Sequence, residues 1–443
     1  MSECTTKRLF LLCALGIGIL AVFEAMARIH NATQAPKLYV GLYLSAFVFY
    51  LVAAWMVSRT SGVRVLVAIS CLAVLFRLVL LPVRPTISTD IYRYIWDGRV
   101  QAQGINPYTY SPDSPRLAFL RNADWFWINH REDHTTYPPV SQLVFAAVVR
   151  LFGNSVYPMK AAFILFDLGT MAILAMMLRH LRIPSGALIF YAWSPVVITE
   201  VADAGHQDSI GVMLMILAIY LLIRKRSWLP GVFLAASGLV KPYPLVLAPM
   251  LARRNWVRIP SMLVITGVAL YLPYLGSGAQ WLSGLNKYGF GWHRNDGFFT
   301  LTNVALGMVT RNHEYVARVI MIFAAVGLSA CMAFRKHEDD KSLLRDVFII
   351  LAVVFMLSPT VYPWYFAWTV PFLCIVSCPA WLLLTGLTVL CYLIPMYNQT
   401  HIQLIEYVPV SILFLMTVLL RRRTLIRDKS QTAGAVQANP VTR

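Results

Sequence analysis

Charge is what this chain has least of. Asp, Glu, Lys and Arg make up 13% of its 443 residues, where soluble domains carry about 25%, and that shortage excludes a soluble globular enzyme. Acidic residues are scarcest, 20 against 38 Lys plus Arg. The resulting +18 predicts no nucleic-acid partner, because basic residues flanking apolar runs anchor a membrane protein on its cytoplasmic side. Also absent are a Gly-rich phosphate loop, a dinucleotide fingerprint and an HExxH pair. The seven cysteines (Cys4, Cys13, Cys71, Cys331, Cys374, Cys378 and Cys391) lie in or beside apolar runs with no CxxC spacing. Neither a disulfide framework nor a thiolate metal site is expected.

What is present is apolar sequence, 58% of the chain. In lipid, backbone polar groups have to pair inside helices, so the expected fold is an all-α polytopic membrane protein. Runs at 9–29, 38–57, 63–81, 160–178, 185–201, 209–223, 258–275, 315–334, 346–358, 364–378, 380–397 and 404–420 suggest about 12 transmembrane helices, several shorter than the ~20 residues a straight span needs. Lys7 and Arg8 before the first run and Ala25-Met26-Ala27 after it resemble a signal peptide. The many later spans favour an uncleaved first helix. Two segments stay outside the count. Residues 140–152 are too few to span and read as an interfacial helix. Segment 231–250 is interrupted by Lys241-Pro242-Tyr243-Pro244, which suggests a re-entrant pair of half-membrane pieces with Lys241 buried at the break.

With the N-terminus cytoplasmic, Lys7/Arg8, Arg59/Arg64, Arg179/Arg182, Arg224-Lys225-Arg226, Arg253/Arg254/Arg258, Arg335/Lys336/Lys341/Arg345 and the tail from Arg421 all fall on one side. The chain then divides into three N-terminal spans (1–81), an extracytoplasmic loop with interfacial helices (82–159), a bundle (160–420) with a second outer loop (276–300), and a cytoplasmic basic tail (421–443). Both termini face the cytoplasm of a cell whose inner (plasma) membrane holds the protein. The tail beyond Arg427 is polar and expected to lack packed structure. The loop from Pro82 to Tyr137 carries six Arg and six acidic residues among many aromatics. Loops this long are functional or disordered, and its Trp and Tyr content argues for function. The second loop holds Trp281, Lys287, Tyr288, Trp292, His293, Arg294 and Asp296. Other outer corners carry Asp203, His206 and Asp208, then Tyr362, Trp364 and Tyr365.

Residues 88–99 read as a helix capped by Ser88 or Thr89. Its 3.6-residue period puts Asp90, Arg93, Tyr94 and Asp97 on one face. A carboxylate beside an arginine can act as a general base next to an anion-holding group; an interfacial amphipathic helix with local ion pairs uses the same residues. His206 and Asp208 either bind substrate hydroxyls or cap the helix that starts at Ser209. Lys241 in an apolar run costs at least ~2.5 kcal/mol, offset by a functional role, by snorkelling or by a carboxylate partner. His130-Arg131-Glu132-Asp133-His134 lacks metal-site order and reads as a polar loop. His293 and Arg294 either contact phosphate or lipid headgroups or make an ordinary interfacial contact. Arg77 and Glu24 form a structural pair or serve an unknown role, and the aromatics at 362–368 are a membrane belt or a sugar platform.

The string Asp90-Ile-Tyr-Arg-Tyr-Ile-Trp-Asp97-Gly-Arg, then Gly104-Ile-Asn106-Pro107-Tyr108 and Thr136-Tyr137-Pro138-Pro139, resembles the first outer loop of bacterial polyprenyl-phosphate-mannose-dependent mannosyltransferases of the GT-C superfamily. The likeness continues through Gly205-His206-Gln207-Asp208, Gly238-Leu239-Val240-Lys241-Pro242-Tyr243-Pro244, Ser358-Pro359 and Tyr362-Pro363-Trp364-Tyr365. It implies a glycosyltransferase active at the outer membrane surface, with an acidic residue early in that loop as base; the matching position is Asp90. The donor would be a polyprenyl-phosphate sugar and the acceptor a lipid or glycan among membrane lipids. Asp90 would activate the acceptor hydroxyl for inversion, and Arg93, Lys241 and Arg294 would hold the departing phosphate, with Tyr94, Asp97, His206 and Asp208 completing the substrate site. No cofactor and no obligatory metal are expected. Many members of that family place the acidic residue after the first helix, whereas two additional spans precede it here. A flippase for lipid-linked sugar and a ligase using a polyprenyl diphosphate are the competing functions; a flippase would show matched internal repeats.

Overall fold

The computed structural model describes residues 3–278, 280, 284, 287, 289, 292 and 294–437, with side chains between 7 and 420. Trp281, Tyr288, His293 and the last six residues of the tail lie outside the described residues. The described chain is helical, with α1 (Glu3–Ala27), α2 (Pro36–Val57), α3 (Val63–Leu80), α4 (Asp90–Ala102), α5 (Pro139–Phe152) and α6 (Val156–His180) forming its first part. Among the described residues, 7 helices are long and apolar enough to cross a membrane, or up to 8 if one bent pair counts as a span. The protein is a multi-pass membrane protein.

The remaining apolar runs are shorter or broken, and prolines mark the breaks. The run 185–201 becomes Ser185–Ala192 and Pro195–Asp203, bent by 51° where Pro195 removes a backbone donor. The run 364–378 becomes two helical turns, Pro363–Phe366 and Val370–Leu373. In segment 231–250, Leu229–Gly238 stops and a 3-10 turn resumes at Tyr243, leaving Lys241 in the gap. The last helix, Gln399–Gln437, runs on past Arg427. Beyond Leu420 its Arg, Lys, Gln and Ala residues are good helix formers, and they extend a helix already nucleated in the span.

Helices in lipid associate through packing and polar contacts more than through apolar burial. Helix α2 does this with tyrosines on one face. Tyr39 donates to Asp203 Oδ2 at 2.9 Å, Tyr43 to the Thr385 carbonyl at 2.7 Å and Tyr50 to the Phe190 carbonyl at 2.9 Å. Each such bond contributes about 0.6 kcal/mol, and up to ~1.7. The α1–α2 hairpin is therefore integral to the bundle. Its turn also reaches the strand of chain before α4, since Ala32 N–H donates to Thr86 Oγ1 at 2.9 Å. Arg77 pairs with Asp167, both fully buried, and Glu24 pairs with Arg28, so the two charges weighed as partners go separate ways.

Helix α5 lies along α4. The two can approach because residue 98 is glycine: a Cβ there would stand 2.5 Å from the Phe145 carbonyl oxygen. Tyr94 of α4 stacks on Phe145 of α5 at 4.7 Å between centroids. This pairing fixes the direction in which α4 presents its first turn.

Candidate active site

Asp90 opens α4, where the helix dipole favours an anion. Thr89 occupies the cap position without a side-chain bond; Ser88 Oγ instead accepts from the Asp90 N–H at 3.4 Å. The carboxylate Oδ1 accepts from Asn129 Nδ2 at 2.8 Å, and Oδ2 lies 4.0 Å from His206 Nε2. Asp90 lines a cavity of about 870 Å³ shared with Arg93, Tyr137, Lys241, Arg294 and Tyr362. Its acceptor sites are not exhausted by these contacts.

Arg93 lines the cavity but its nitrogens are engaged. Nε donates to Asp97 Oδ1 at 2.9 Å, and both terminal nitrogens donate to the Asp133 carbonyl at 3.1 Å. Asp97 is buried behind it, accepting from Thr135 Oγ1 at 2.5 Å and Gln142 Nε2 at 3.0 Å. The pair thus clamps residues 133–135 onto α4. Tyr94 is buried as well and meets Tyr137 edge-on at 4.9 Å. Burial, with Asp90 adding to it, pushes the Tyr137 phenol well above its usual range, so it remains a neutral donor.

Lys241 both faces the cavity and has its carboxylate. Nζ donates to the two Asp208 oxygens at 2.8 and 2.8 Å and stands 4.8 Å from the centre of the Tyr365 ring. Asp208, at the start of Asp208–Ile223, is buried and also accepts from Trp368 Nε1 at 2.6 Å. It holds the lysine from behind the wall. His206 is fully buried behind the wall too.

Arg294 is fixed by its backbone. Its N–H donates to the Pro359 carbonyl at 3.1 Å and its carbonyl accepts from Val361 N–H at 2.9 Å, while the neighbouring Asn295 donates to Glu406 Oε2 at 2.8 Å. Its buried Nε has no hydrogen-bond partner among the described residues. The guanidinium stands 5.9 Å over the Tyr362 ring. That ring stacks on Trp364 at 4.3 Å and 6°, and Trp364 stacks on His206 at 3.9 Å. Burial pushes the Tyr362 phenol up to about 12, against the pull of Arg294. A cation, a stacked aromatic column and a carboxylate on one cavity suit a ligand that is part anion and part sugar ring.

His130, Glu132 and Asp133 bring three potential ligand atoms within 4.8 Å of one another. Asp133 is also bonded to Lys287, which supplies a cation where a metal would otherwise do so. The residues that sequence reading missed are Asn129, Glu200 and Tyr392. Glu200 carried a usable signal, since a carboxylate inside an apolar run costs as Lys241 does. Asn129 and Tyr392 arrive only through tertiary packing and carry none.

Fold and site together define a polytopic helical membrane protein with an aromatic-walled cavity that carries a few charged groups and is built on a loop helix. The sequence profile described as alpha-(1->6)-mannopyranosyltransferase, N-terminal domain, matches residues 4–257, and the chain belongs to that family. Similar proteins include alpha-(1->6)-mannopyranosyltransferase A of Mycobacterium tuberculosis, 23% identical over 319 residues covering 64% of this chain and 60% of that protein. Alpha-(1->6)-mannopyranosyltransferase B of Corynebacterium glutamicum is 24% identical over 336 residues, 65% of this chain and 55% of that protein. The A protein of the same organism is 23% identical over 347 residues, 68% of this chain and 69% of that protein. The chain thus spans less than two thirds of the length of the first two. No solved structure matches significantly.

Proposed function

We propose that the protein is an integral-membrane mannosyltransferase. It moves mannose from a polyprenyl-phosphate donor to a hydroxyl of a lipid or glycan acceptor, on the extracytoplasmic face of the cell membrane. The observation that carries this reading is the sharing of one cavity by Asp90 and by Arg294, whose Nε lacks a partner among the described residues. The names of the similar proteins support the sugar.

Asp90 acts as the general base. The acceptor oxygen attacks the anomeric carbon, its proton passes to Asp90, and the bond from that carbon to the phosphate oxygen breaks with inversion. Polyprenyl phosphate leaves with the electron pair. Arg294, and Lys241 through the one donor Asp208 leaves free, stabilise the growing phosphate charge. The stacked rings of Tyr362 and Trp364 offer the sugar a flat face.

The reading is tested by incubating purified protein with short-chain polyprenyl-phosphate-mannose and a membrane extract, following product mass. Mannosylated product is the expected result. No product from any polyprenyl-phosphate sugar, with movement of lipid-linked sugar across vesicles instead, would favour a flippase. Chelation by EDTA is expected to leave the rate unchanged, because Lys287 and Arg294 supply the cations; dependence on added Mn²⁺ or Mg²⁺ would assign a metal to the His130, Glu132 and Asp133 group. Orientation has its own check. A Ser114→Cys variant in whole cells should react with an impermeant thiol reagent, and protection there would invert the topology.

A further inference from the structure

Glu200 is 2% exposed, and the chemistry above does not use it. A buried carboxylate is costly unless it is paired. Its oxygens accept from the Tyr392 hydroxyl at 2.9 and 3.1 Å, and Oε2 lies 2.9 Å from His206 Nδ1. That nitrogen makes no hydrogen bond among the described residues, so the contact is a close polar pairing. The other ring nitrogen, Nε2, lies 3.1 Å from Ser88 Oγ and 4.0 Å from Asp90 Oδ2. A buried line therefore runs from Tyr392 on the cavity wall, through Glu200 and His206, back to the first turn of α4.

The backbone is shaped to make this line. Thr199–Asp203 is a π-helical turn, a form that is rare and gathers at functional sites. His206 N–H donates to the Glu200 carbonyl at 2.8 Å, so the two residues face each other across one tight loop. Between them Gly205 has φ +72°, a left-handed conformation that favours glycine, and a Cβ there would stand 2.7 Å from Ile91 Cδ1 on α4. Trp364 stacked on the imidazole closes one face of the ring. The ring cannot turn without breaking this packing.

We propose that Glu200 and His206 are positioning residues for Asp90. Glu200 holds the imidazole so that Nε2 faces Ser88, and Ser88, bonded to the Asp90 N–H, sets the carboxylate toward the acceptor hydroxyl. This inference rests on the reading of Asp90 as base.

The test is steady-state transfer from short-chain polyprenyl-phosphate-mannose, with kcat and donor KM separated. Glu200→Gln and His206→Asn are expected to lower kcat roughly ten- to hundredfold with donor KM within about threefold, since uniform binding is untouched. His206→Gln, whose amide reaches the place of Nε2, should recover most of the loss. In an Asp90→Asn background Glu200→Gln should cost nothing further. Full kcat in Glu200→Gln, equal loss in His206→Asn and His206→Gln, or a loss confined to KM would overturn the proposal while the transferase reading stands. A wild type that transfers no sugar removes both. Should Glu200→Gln fail to fold, the two His206 variants still decide the matter.

Discussion

Asp90→Asn should lower kcat by roughly 10²–10⁴-fold, the range lost when a general base is removed, with donor KM little changed. Asparagine keeps the shape and can still accept from Asn129, so the first turn of α4 is preserved. What it loses is the capacity to take a proton and the anion at the helix start, the latter a matter of about 0.3–1 kcal/mol. Asp133 is the internal control, because it also lines the cavity but is already bonded to Lys287. Asp133→Asn should cost much less. Full activity of Asp90→Asn in the product-mass assay would remove the proposed base, and collapse of Asp133→Asn alone would transfer the role.

The largest expected loss of stability lies far from the cavity. Asp167→Ala should destabilise the protein by about 3–5 kcal/mol, the cost of leaving a buried partner charge uncompensated. Arg77 and Asp167 are fully buried and paired. Tyr191 donates to Asp167 Oδ1 at 2.5 Å, and Arg77 donates from NH1 to the Ala73 and Ala192 carbonyls at 2.9 Å each. Two carbonyls remain as partners after the substitution, but no counter-charge does. Removing both charges in Arg77→Met with Asp167→Leu should restore much of the loss, as apolar replacement of a buried pair is often neutral or stabilising. Thermal unfolding in detergent measures both. A wild-type midpoint for Asp167→Ala would mean that lipid or water reaches the guanidinium.

Sequence reasoning reached what depends on local composition. Helices α1, α2, α3 and α6 are long, largely apolar runs and lie within about six residues of their expected limits. The runs 185–201 and 364–378 read as single spans although Pro195 and Pro371 stand inside them; hydropathy averages over a proline, while the backbone cannot. In the site, Asp90, Lys241 and Arg294 stand out in the sequence because charge is rare in this chain. The spacing of Arg93 and Asp97 announced their pairing. It does not announce Thr135 and Gln142, which satisfy Asp97 from outside α4, nor the bonds by which Arg93 also holds the loop at Asp133. The run around Glu200 reads as an ordinary span, and the cost of its lone carboxylate is the signal that marks it.

The cavity wall starts at Thr33, just before α2, and ends at Met396, just before the last helix. A ribosome adding about 5–20 residues per second needs roughly 20–70 s to pass from one to the other. For most of that time the first wall waits in the bilayer with Asp90 already made and Arg294 or Tyr392 still missing. The vessel is therefore complete only when all but the last helix has been made, and a transcript cut short before Arg294 yields a membrane-resident fragment with a carboxylate but no reaction chamber.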